Sequence, residues 1–444
     1  MSIFNISNGH PSNWKGYEKT ALRFFSIYFV IQAVPLDWKF YRQLFSINLL
    51  HLNFYDLFTL SKYTAQFFSL PGYANWAVAA LLAVAVTVIW KLVEKREPDY
   101  DSLHYWLRVI LRYRLATGII AYGLLKLFPL QMPYPSLSNL HTNYGDFHAW
   151  KIYFHTIGIT QGYERFLGAA EILAGVLLFF RNTTTFGTGI ILGFTGNVFA
   201  ANIAYDAGEQ VYGAYLVAIA LFLFAYDVPR LYSLLVQEKY TIASKFRPEF
   251  RQQRLKRLRI GLRAFFLVFV LLFGITTYAN YNNEPYKLPR SPGLKGSYGF
   301  YNVKEFKFNG QIIPYSVTDS NRWQNVVFEQ WATISIKVAK PIRPDTTTGD
   351  GYFEKDIDRN FELAGVAGRR YYAYNADTLH KTLLLQNKNK LYRGETYALT
   401  YSQPNDSTIV IKGVNEKKDS VYAELNRITR KYLLFEGRRK PIKL

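Results

Sequence analysis

The sequence predicts an α-helical, multi-pass membrane bundle of about seven spans, followed by a small all-β domain. Two observations lead to this prediction. Long apolar runs are confined to the part before about residue 278, and the rest of the chain is polar and rich in Tyr, Lys, Asn and Thr. Half of the 444 residues are hydrophobic, yet the mean hydropathy is near zero, as expected for two dissimilar parts. We expect a helical membrane domain over 1–283 and a β-rich domain over 284–444.

A membrane span needs about 20 mostly apolar residues. Seven segments reach or approach this length. The short ones would have to be extended by flanking helical turns that are less apolar. The segments are Ala21–Pro35, Ala74–Val93, Leu107–Leu130, Phe166–Phe180, Phe186–Ile203, Val211–Tyr226 and Ile260–Tyr278. Between the first two, residues 37–70 are rich in Phe, Leu and Tyr and are expected to form an interfacial or re-entrant element.

Basic residues cluster in loops beside the spans, where they set orientation and meet anionic lipid headgroups. The basic loops are 91–114, the turn at Arg181 and 230–263, the last including Arg247, Arg251, Lys256 and Arg259. We expect these loops and the N-terminus in the cytoplasm, without a cleavable signal peptide. The loop 129–160 and everything after Tyr278 would face outward. In a double-membrane bacterium this describes an inner-membrane protein with a periplasmic tail.

The tail carries short runs of β-branched and aromatic residues separated by turn signals. The runs are Tyr298–Phe308, Ala332–Val338, Thr382–Leu385, Tyr397–Tyr401 and Ser407–Lys412. The turn signals include Asn309-Gly310, the loop Thr346–Gly351 and Pro404-Asn405-Asp406. This spacing predicts a small sandwich or lipocalin-like barrel. Ala279–Asn283 is expected to be the linker to it.

Composition excludes several classes of function. The formal net charge of +21 lies largely in loops beside apolar spans, so lipids rather than nucleic acid are the expected partners. The absence of cysteine excludes disulfides and thiol chemistry. His141, His148 and His155 are seven residues apart, about two helical turns, which is too far for adjacent ligands, so no metal is expected. The sequence contains no phosphate-binding glycine loop, nucleophile elbow or dinucleotide-binding fingerprint.

Lys126 is the most informative residue, because it lies near the end of the apolar stretch 115–130. A charged group inside a bilayer costs about 2.5 kcal/mol or more, so such residues usually face a protein interior. Tyr122, four residues before Lys126, lies on the same face of the predicted helix. Glu171 lies in the fourth apolar segment and is the obvious partner of Lys126. The pair could serve as a base and a proton or ligand site. A structural ion pair, or a lysine that extends to the lipid headgroups, remains the alternative.

Further polar residues follow these segments. Asn202, Tyr205, Asp206 and Glu209 form one stripe at i, i+3, i+4 and i+7, which suits either a ligand site or a solvated helix end. Asn197 lies on another face and suits an interhelical hydrogen bond. The candidate catalytic residues are therefore Lys126 and Glu171, and the candidate ligand-binding residues are Tyr122, Gln131, Asn197, Asn202, Tyr205 and Asp206.

Residues 121–231 resemble the DoxX-like membrane family, in the form common in Bacteroidetes. The matching elements are Tyr122-Gly-Leu-Leu-Lys126-Leu, Pro129-Leu-Gln131-Met-Pro133, Tyr163, Gly168-Ala-Ala-Glu171, Arg181-Asn-Thr-Thr-Thr, Gly196-Asn197-Val and Asn202-Ile-Ala-Tyr205-Asp206. The tail is similar at Gly296-Ser-Tyr, Phe308-Asn-Gly310, Asp319-Ser-Asn-Arg322-Trp323 and Leu399-Thr-Tyr401-Ser, and departs at Phe435-Glu-Gly-Arg-Arg.

The resemblance implies a helical bundle with an outward β-domain. Some DoxX relatives are small subunits of thiosulfate or terminal quinol oxidoreductases. The Gly-x-x-Lys-Leu element is also similar to one in vitamin K-dependent carboxylases, where the lysine acts as a base. We therefore expect a polar intramembrane site for a quinone-type or other small-molecule ligand, in a redox or proton-coupled complex. The alternative is a non-enzymatic scaffold or accessory subunit, whose β-domain binds envelope protein partners.

Overall fold

The computed structural model describes residues 4–6, 14–48, 51–67, 72–241, 248–250, 253–283 and 286–436. The chain divides into two compact units. The helical unit takes the described residues up to Phe128 together with Arg165–Asn280. The barrel unit takes Pro129–Glu164 together with the described residues from Tyr281 onward. This division differs from a single boundary near residue 283, because 129–164 packs with the tail.

Helices occupy all seven predicted apolar segments. In chain order the helices are α1 (Gly16–Ala33), α2 (Trp38–Ser46), α3 (Phe54–Ser61), α4 (Ala74–Val93), α5 (Tyr100–Leu127), α6 (Leu137–Leu140), α7 (Ala149–Gly158), α8 (Gln161–Leu178), α9 (Thr184–Ala204), α10 (Gln210–Ala225), α11 (Val228–Leu235), α12 (Gln253–Asn283) and α13 (Leu433–Glu436). Asp37, Asn53 and Asp99 begin α2, α3 and α5, since each side chain accepts a hydrogen bond from a backbone N–H of the first turn.

The expected count of about seven membrane spans is too high. Among the described residues, three helical stretches are long and apolar enough to cross a membrane: Ala74–Val93, Arg181–Ala204 and Ile260–Asn283. A fourth arises only if α10 and α11, which are bent by 61°, count as one broken span. The other helices fail for physical reasons. α10 alone has only 16 residues, and α1, α5 and α8 each carry several charged side chains.

Two other expectations concern the chain around α12. Ala279–Asn283 is not a linker, because α12 continues through Asn283. The expected basic loop contains Arg247 and Arg251, which lie outside the described residues, as do the side chains of Lys256 and Arg259. A short antiparallel pair joins β1 (Phe4–Ile6) to β2 (Pro248–Phe250).

The tail forms an eight-stranded antiparallel barrel, one of the two β-architectures that the sequence predicts. Its strands, with the short flanking strand β4, are β3 (Gly299–Phe308), β4 (Gln311–Ile312), β5 (Asn325–Phe328), β6 (Thr333–Lys337), β7 (Arg370–Asp377), β8 (Thr382–Asn387), β9 (Thr396–Asn405), β10 (Thr408–Asn415) and β11 (Ser420–Arg427). Neighbours pair from β5 through β11, β3 pairs with β5, and β11 returns to pair with β3 and closes the barrel. Asn309 and Gly310 have φ of 49° and 79°, as a tight type I′ hairpin requires.

Alternate side chains of the strands, among them Tyr301, Phe306, Tyr372 and Tyr374, fill the barrel with an apolar, aromatic-rich core, to which Trp323 contributes from the segment before β5. The residues between them point to the outside of the wall.

Residues 129–164 cover the outside of β6 and β7. Ser335 on β6 donates to Ser138 Oγ at 2.7 Å, and Asn139 donates to the Tyr371 hydroxyl on β7 at 3.3 Å. The chain also pairs with the loop before β7, where the His148 N–H donates to the Gly365 carbonyl at 2.8 Å. This part of the barrel wall is therefore buried on both faces.

Candidate functional site

Lys126 on α5 and Glu171 on α8 form a buried ion pair in the helical unit. Lys126 Nζ donates to Glu171 Oε1, and only 3% and 5% of the two side chains are exposed. The pairing expected from the sequence is present. Because both side chains are removed from solvent, the amine is satisfied by the carboxylate rather than by extension to a surface.

Two glycines allow α5 and α8 to approach closely beside this pair. A Cβ on Gly168 would lie 2.4 Å from the Leu127 nitrogen and 2.5 Å from the Gly123 carbonyl oxygen. A Cβ on Gly123 would in turn lie 2.9 Å from the Gly168 carbonyl oxygen. Such contacts are shorter than any side chain tolerates. Small residues at helix crossings bring backbones together in this way, and here they hold the Lys126–Glu171 pair.

The second carboxylate oxygen of Glu171 is unsatisfied. Oε2 is buried and has no hydrogen-bond partner among the described residues. Buried polar atoms are nearly always hydrogen-bonded, so each exception calls for a physical explanation. This oxygen can accept a proton or a hydrogen bond from a donor that the described residues do not supply.

Tyr122 belongs to a second polar group, centred on Glu209. Lys62 Nζ donates to Glu209 Oε1 at 2.5 Å, and the Tyr122 hydroxyl donates to Oε2 at 2.9 Å. Lys62 Nζ also lies 5.8 Å from the ring centroid of Tyr212. Lys62 escaped sequence reasoning, since it follows the short helix α3 in a segment expected only to be interfacial. A lysine directly after the aromatic and apolar α3 was the available signal.

The remaining candidate ligand-binding residues take other positions. Asn202 donates to the Val198 carbonyl of its own helix at 3.0 Å. Asn197, Tyr205 and Asp206 are exposed. Asp206 adopts φ of 51° just past the end of α9, which fits a helix terminus. Gln131 belongs to the barrel unit, where its backbone carbonyl accepts a hydrogen bond from Lys287 Nζ at 2.7 Å.

The barrel unit holds a buried polar layer that sequence reasoning missed. Glu329 accepts hydrogen bonds from the Ser138 N–H at 2.7 Å, the Ser138 hydroxyl at 2.5 Å and the Leu137 N–H at 3.2 Å. Burial, followed by the negative charge of Glu362, raises the pKa of Glu329 to about 7. No spacing in the sequence links Glu329 to Ser138, because they lie 191 residues apart.

Three further basic side chains lie in the same buried layer. Lys388 forms a fully buried ion pair with Glu362 at 2.5 Å. Arg369 donates to the Ser335 hydroxyl at 3.0 Å, and burial lowers the pKa of Arg369 to about 10. Lys151 donates to the Phe361 carbonyl and lies 3.5 Å from that residue's ring centroid. Burial lowers the pKa of the Lys151 amine well below its usual value, and the nearby charge of Lys287 lowers it further.

The three histidines at seven-residue spacing take separate positions. His141 stacks on Phe300 at 3.6 Å between ring centroids, whereas His155 packs edge-on against Phe147. Burial lowers the pKa of His141 to about 4 and that of His155 to about 3. Within the described part of the chain, no group of three or more His, Cys, Asp or Glu side chains has a metal-binding arrangement.

Comparison with known proteins finds no family model, curated protein or solved structure that matches this chain.

Proposed function

We propose that this chain is an inner-membrane protein of the DoxX-like type, whose helical unit binds a quinone-type headgroup or similar small molecule at Lys126 and Glu171, in a redox or proton-coupled membrane complex. The observation that carries the proposal is the buried, unpartnered Oε2 of Glu171 beside an ion-paired lysine.

The chemistry of the pair suits such a ligand. A lysine ammonium has three N–H donors, and only one is needed for Glu171. A ligand carbonyl could accept from a second N–H while a ligand hydroxyl donates to Oε2. A carboxylate beside an amine can also receive a proton and pass it on when a bound group changes redox state. The two side chains would thus bind the ligand and hold the proton.

The direct test is binding of a short-chain quinone to the full-length protein in nanodiscs, measured by calorimetry. Glu171→Gln should lose most of the binding. The matched control is Glu94→Gln, since Glu94 forms a comparably buried ion pair with Arg23 elsewhere in the helical unit. If the two variants bind the quinone equally, the proposed site is wrong. Quinone or lipid extracted from natively purified protein would identify the ligand.

A second candidate function is a membrane-anchored scaffold whose barrel unit binds an envelope protein. One observation favours it: Ile312, Tyr315 and Val317 are all exposed around β4 and the loop that follows it. Neighbouring exposed apolar side chains often mark a protein contact. A protein that co-purifies stoichiometrically, and is lost on Tyr315→Ser with Val317→Ser, would support the scaffold. Retention of that protein by the double variant would exclude this surface.

A further inference from the structure

One end of the barrel contains a small polar cavity that the proposed membrane function does not use. Its volume is about 110 Å³, and its lining includes Arg370, Glu395, Tyr372, Tyr397 and Trp323. The cavity lies where β7, β9 and β11 begin and where β6 and β10 end, so it occupies the mouth of the barrel. The cavity is open to solvent at its rim, where the exposed residues include Asn321, Lys340 and Lys417.

Arg370 is the unusual member of this lining. Its side chain faces the interior with the alternating core residues, and the residue is only 5% exposed. Its Nη1 donates to both oxygens of Glu395, at 2.6 and 2.5 Å. Its Nη2 is buried and has no hydrogen-bond partner among the described residues. An arginine normally uses both terminal nitrogens, so a buried, unused Nη2 is a donor without an acceptor.

Two of the three carboxylates on the lining, Glu395 and Asp419, have both oxygens engaged, whereas the third, Glu416, is exposed and accepts from the Thr396 N–H at 3.4 Å. Besides Arg370, Glu395 Oε2 accepts from Asn387 at 2.8 Å and from the Tyr372 hydroxyl at 3.4 Å. Both oxygens of Asp419, on the same lining, accept from asparagine side chains at 3.0 Å. What the cavity lacks is therefore an acceptor for Arg370.

We infer that the mouth of the barrel binds a small organic carboxylate, whose oxygens accept from Arg370 Nη2 and whose apolar part lies against Trp323 and Tyr397. Carboxylate is the natural partner of a guanidinium edge, and aromatic walls favour an apolar group beside it. A volume of about 110 Å³ corresponds to roughly three or four water molecules, and because the cavity is open at its rim it admits a small carboxylate whose far end stays in solvent. Lys340 and Lys417 at the rim would attract the anion.

The test uses the full-length protein in detergent, with benzoate as the probe and benzyl alcohol as its uncharged counterpart, both titrated by calorimetry. Benzoate should bind saturably, and about tenfold or more tightly than benzyl alcohol, because only the carboxylate forms a charged hydrogen bond. Failure of benzoate to saturate, or equal affinity for the two probes, would overturn the proposal.

Three variants distinguish loss of the Arg370 hydrogen-bond donor from loss of folding. Arg370→Lys keeps the positive charge opposite Glu395 but removes the second nitrogen, so benzoate affinity should fall about tenfold or more, and the melting temperature of the variant shows that it is folded. Asn321→Trp blocks the exposed rim, leaves the ion pair intact and should abolish binding. Lys304→Gln, on the exposed outer wall, is the control and should bind as the unmodified protein does. Unchanged benzoate affinity in a folded Arg370→Lys or Asn321→Trp variant would contradict the inference.

Discussion

Ser138 donates both its backbone N–H and its hydroxyl to one oxygen of Glu329. The contact fixes the start of α6 to the end of β5, and thereby holds residues 129–164 on the barrel wall. Since Glu329 is fully buried and its pKa is raised, this attachment depends on pH as well as on packing.

The first prediction is the pH dependence that Glu329 contributes. Its pKa rises from 4.5 to about 7 in the folded protein, so between these values the folded state holds a proton that the unfolded state has lost. The stabilising contribution of Glu329 to the free energy of unfolding is present in full below pH 4.5. This contribution falls by roughly 3 kcal/mol as the pH rises through 7. His141 and His155 have lowered pKa values and oppose this trend below pH 6.5.

The measurement for Glu329 is therefore a difference between proteins. Hydrogen exchange of barrel peptides in the full-length protein gives the free energy of opening at pH 4.5 and at pH 8. Glu329→Gln removes the group whose deprotonation lowers the free energy of opening. Between pH 4.5 and pH 8 this free energy should therefore fall less, or rise more, in the variant than in the natural protein. Identical pH profiles for the two proteins would refute the assignment to Glu329.

The second prediction concerns the tail as a fragment. Residues 286–436 alone should give a β-type circular dichroism spectrum, but Glu329, Arg369 and Tyr371 would lose the segment that covers them. A chimera that joins 129–164 to this fragment through a flexible linker should unfold at higher urea concentration. A chimera with a scrambled 129–164 segment is the control. A helix-rich spectrum, or equal urea midpoints for all three, would contradict the prediction.

The third prediction concerns the Lys126–Glu171 pair. Removing one member of a buried ion pair strands the other charge and costs about 3–5 kcal/mol. Lys126→Met and Glu171→Gln should each lower the melting temperature in detergent, and the double variant should recover part of the loss. If neither single change lowers it, the two residues do not form a buried pair. A stable double variant that no longer retains ligand would separate function from structure.

The fourth prediction concerns the contact between α5 and α8. Gly168→Ala introduces a Cβ that meets the backbone of α5 and should destabilise the protein by about 1–3 kcal/mol, with a matching fall in melting temperature. Gly196→Ala on α9 is the matched control, because a Cβ there meets nothing within 4 Å. It should be neutral or stabilising by up to about 1 kcal/mol. Equal effects would mean that the helices do not approach closely at Gly168.

The fifth prediction concerns sidedness. Residues 129–164 and the tail form one unit, so an even number of crossings must separate them. The natural chain has no cysteine, so single cysteines can be labelled without background. Tyr144→Cys and Leu379→Cys, at positions 74% and 89% exposed, should both react with an impermeant maleimide added to spheroplasts, from the outer side of the cytoplasmic membrane. Tyr240→Cys, in the proposed cytoplasmic loop, should not. If the reagent labels only one of residues 144 and 379, the two positions lie on opposite sides of the membrane and cannot belong to one folded barrel unit.

The sequence predicted best where local patterns decide the structure. Helices lie at all seven apolar segments, and all five β-runs lie in strands, because periodicity and turn residues act over a few neighbours. Three barrel strands were missed, β5, β7 and β11. β5 has only four residues, Arg370 and Asp377 at the ends of β7 interrupt its apolar pattern, and β11 carries several polar residues. The number of spans was too high because α1, α5 and α8 bury charged residues that an apolar average conceals.

The candidate sites also differ in how far the sequence could predict them. Lys126 and Glu171 could be paired from sequence, because each is the charged residue of an otherwise apolar segment and few partners exist. Glu209 with Lys62, and Glu329 with Ser138, depend on contacts between residues 147 and 191 positions apart. Lys62, directly after the apolar α3, and Glu209, in the polar stripe that begins at Asn202, could each be noticed in the sequence but not paired with each other. Nothing in the sequence links Glu329 to Ser138, so only the folded chain reveals that contact.

The order of biosynthesis gives the divided barrel unit a further consequence. Ser138 leaves the ribosome 191 residues before Glu329, a delay of about 10–40 s at roughly 5–20 residues per second. During that interval the segment 129–164 has no wall to cover, while α8 to α12 are still being made. The barrel then cannot close until β11, its last strand, reaches β3. Maturation of this protein should therefore be slow, and a nascent chain stalled before β11 should leave the early segment open to proteases and chaperones.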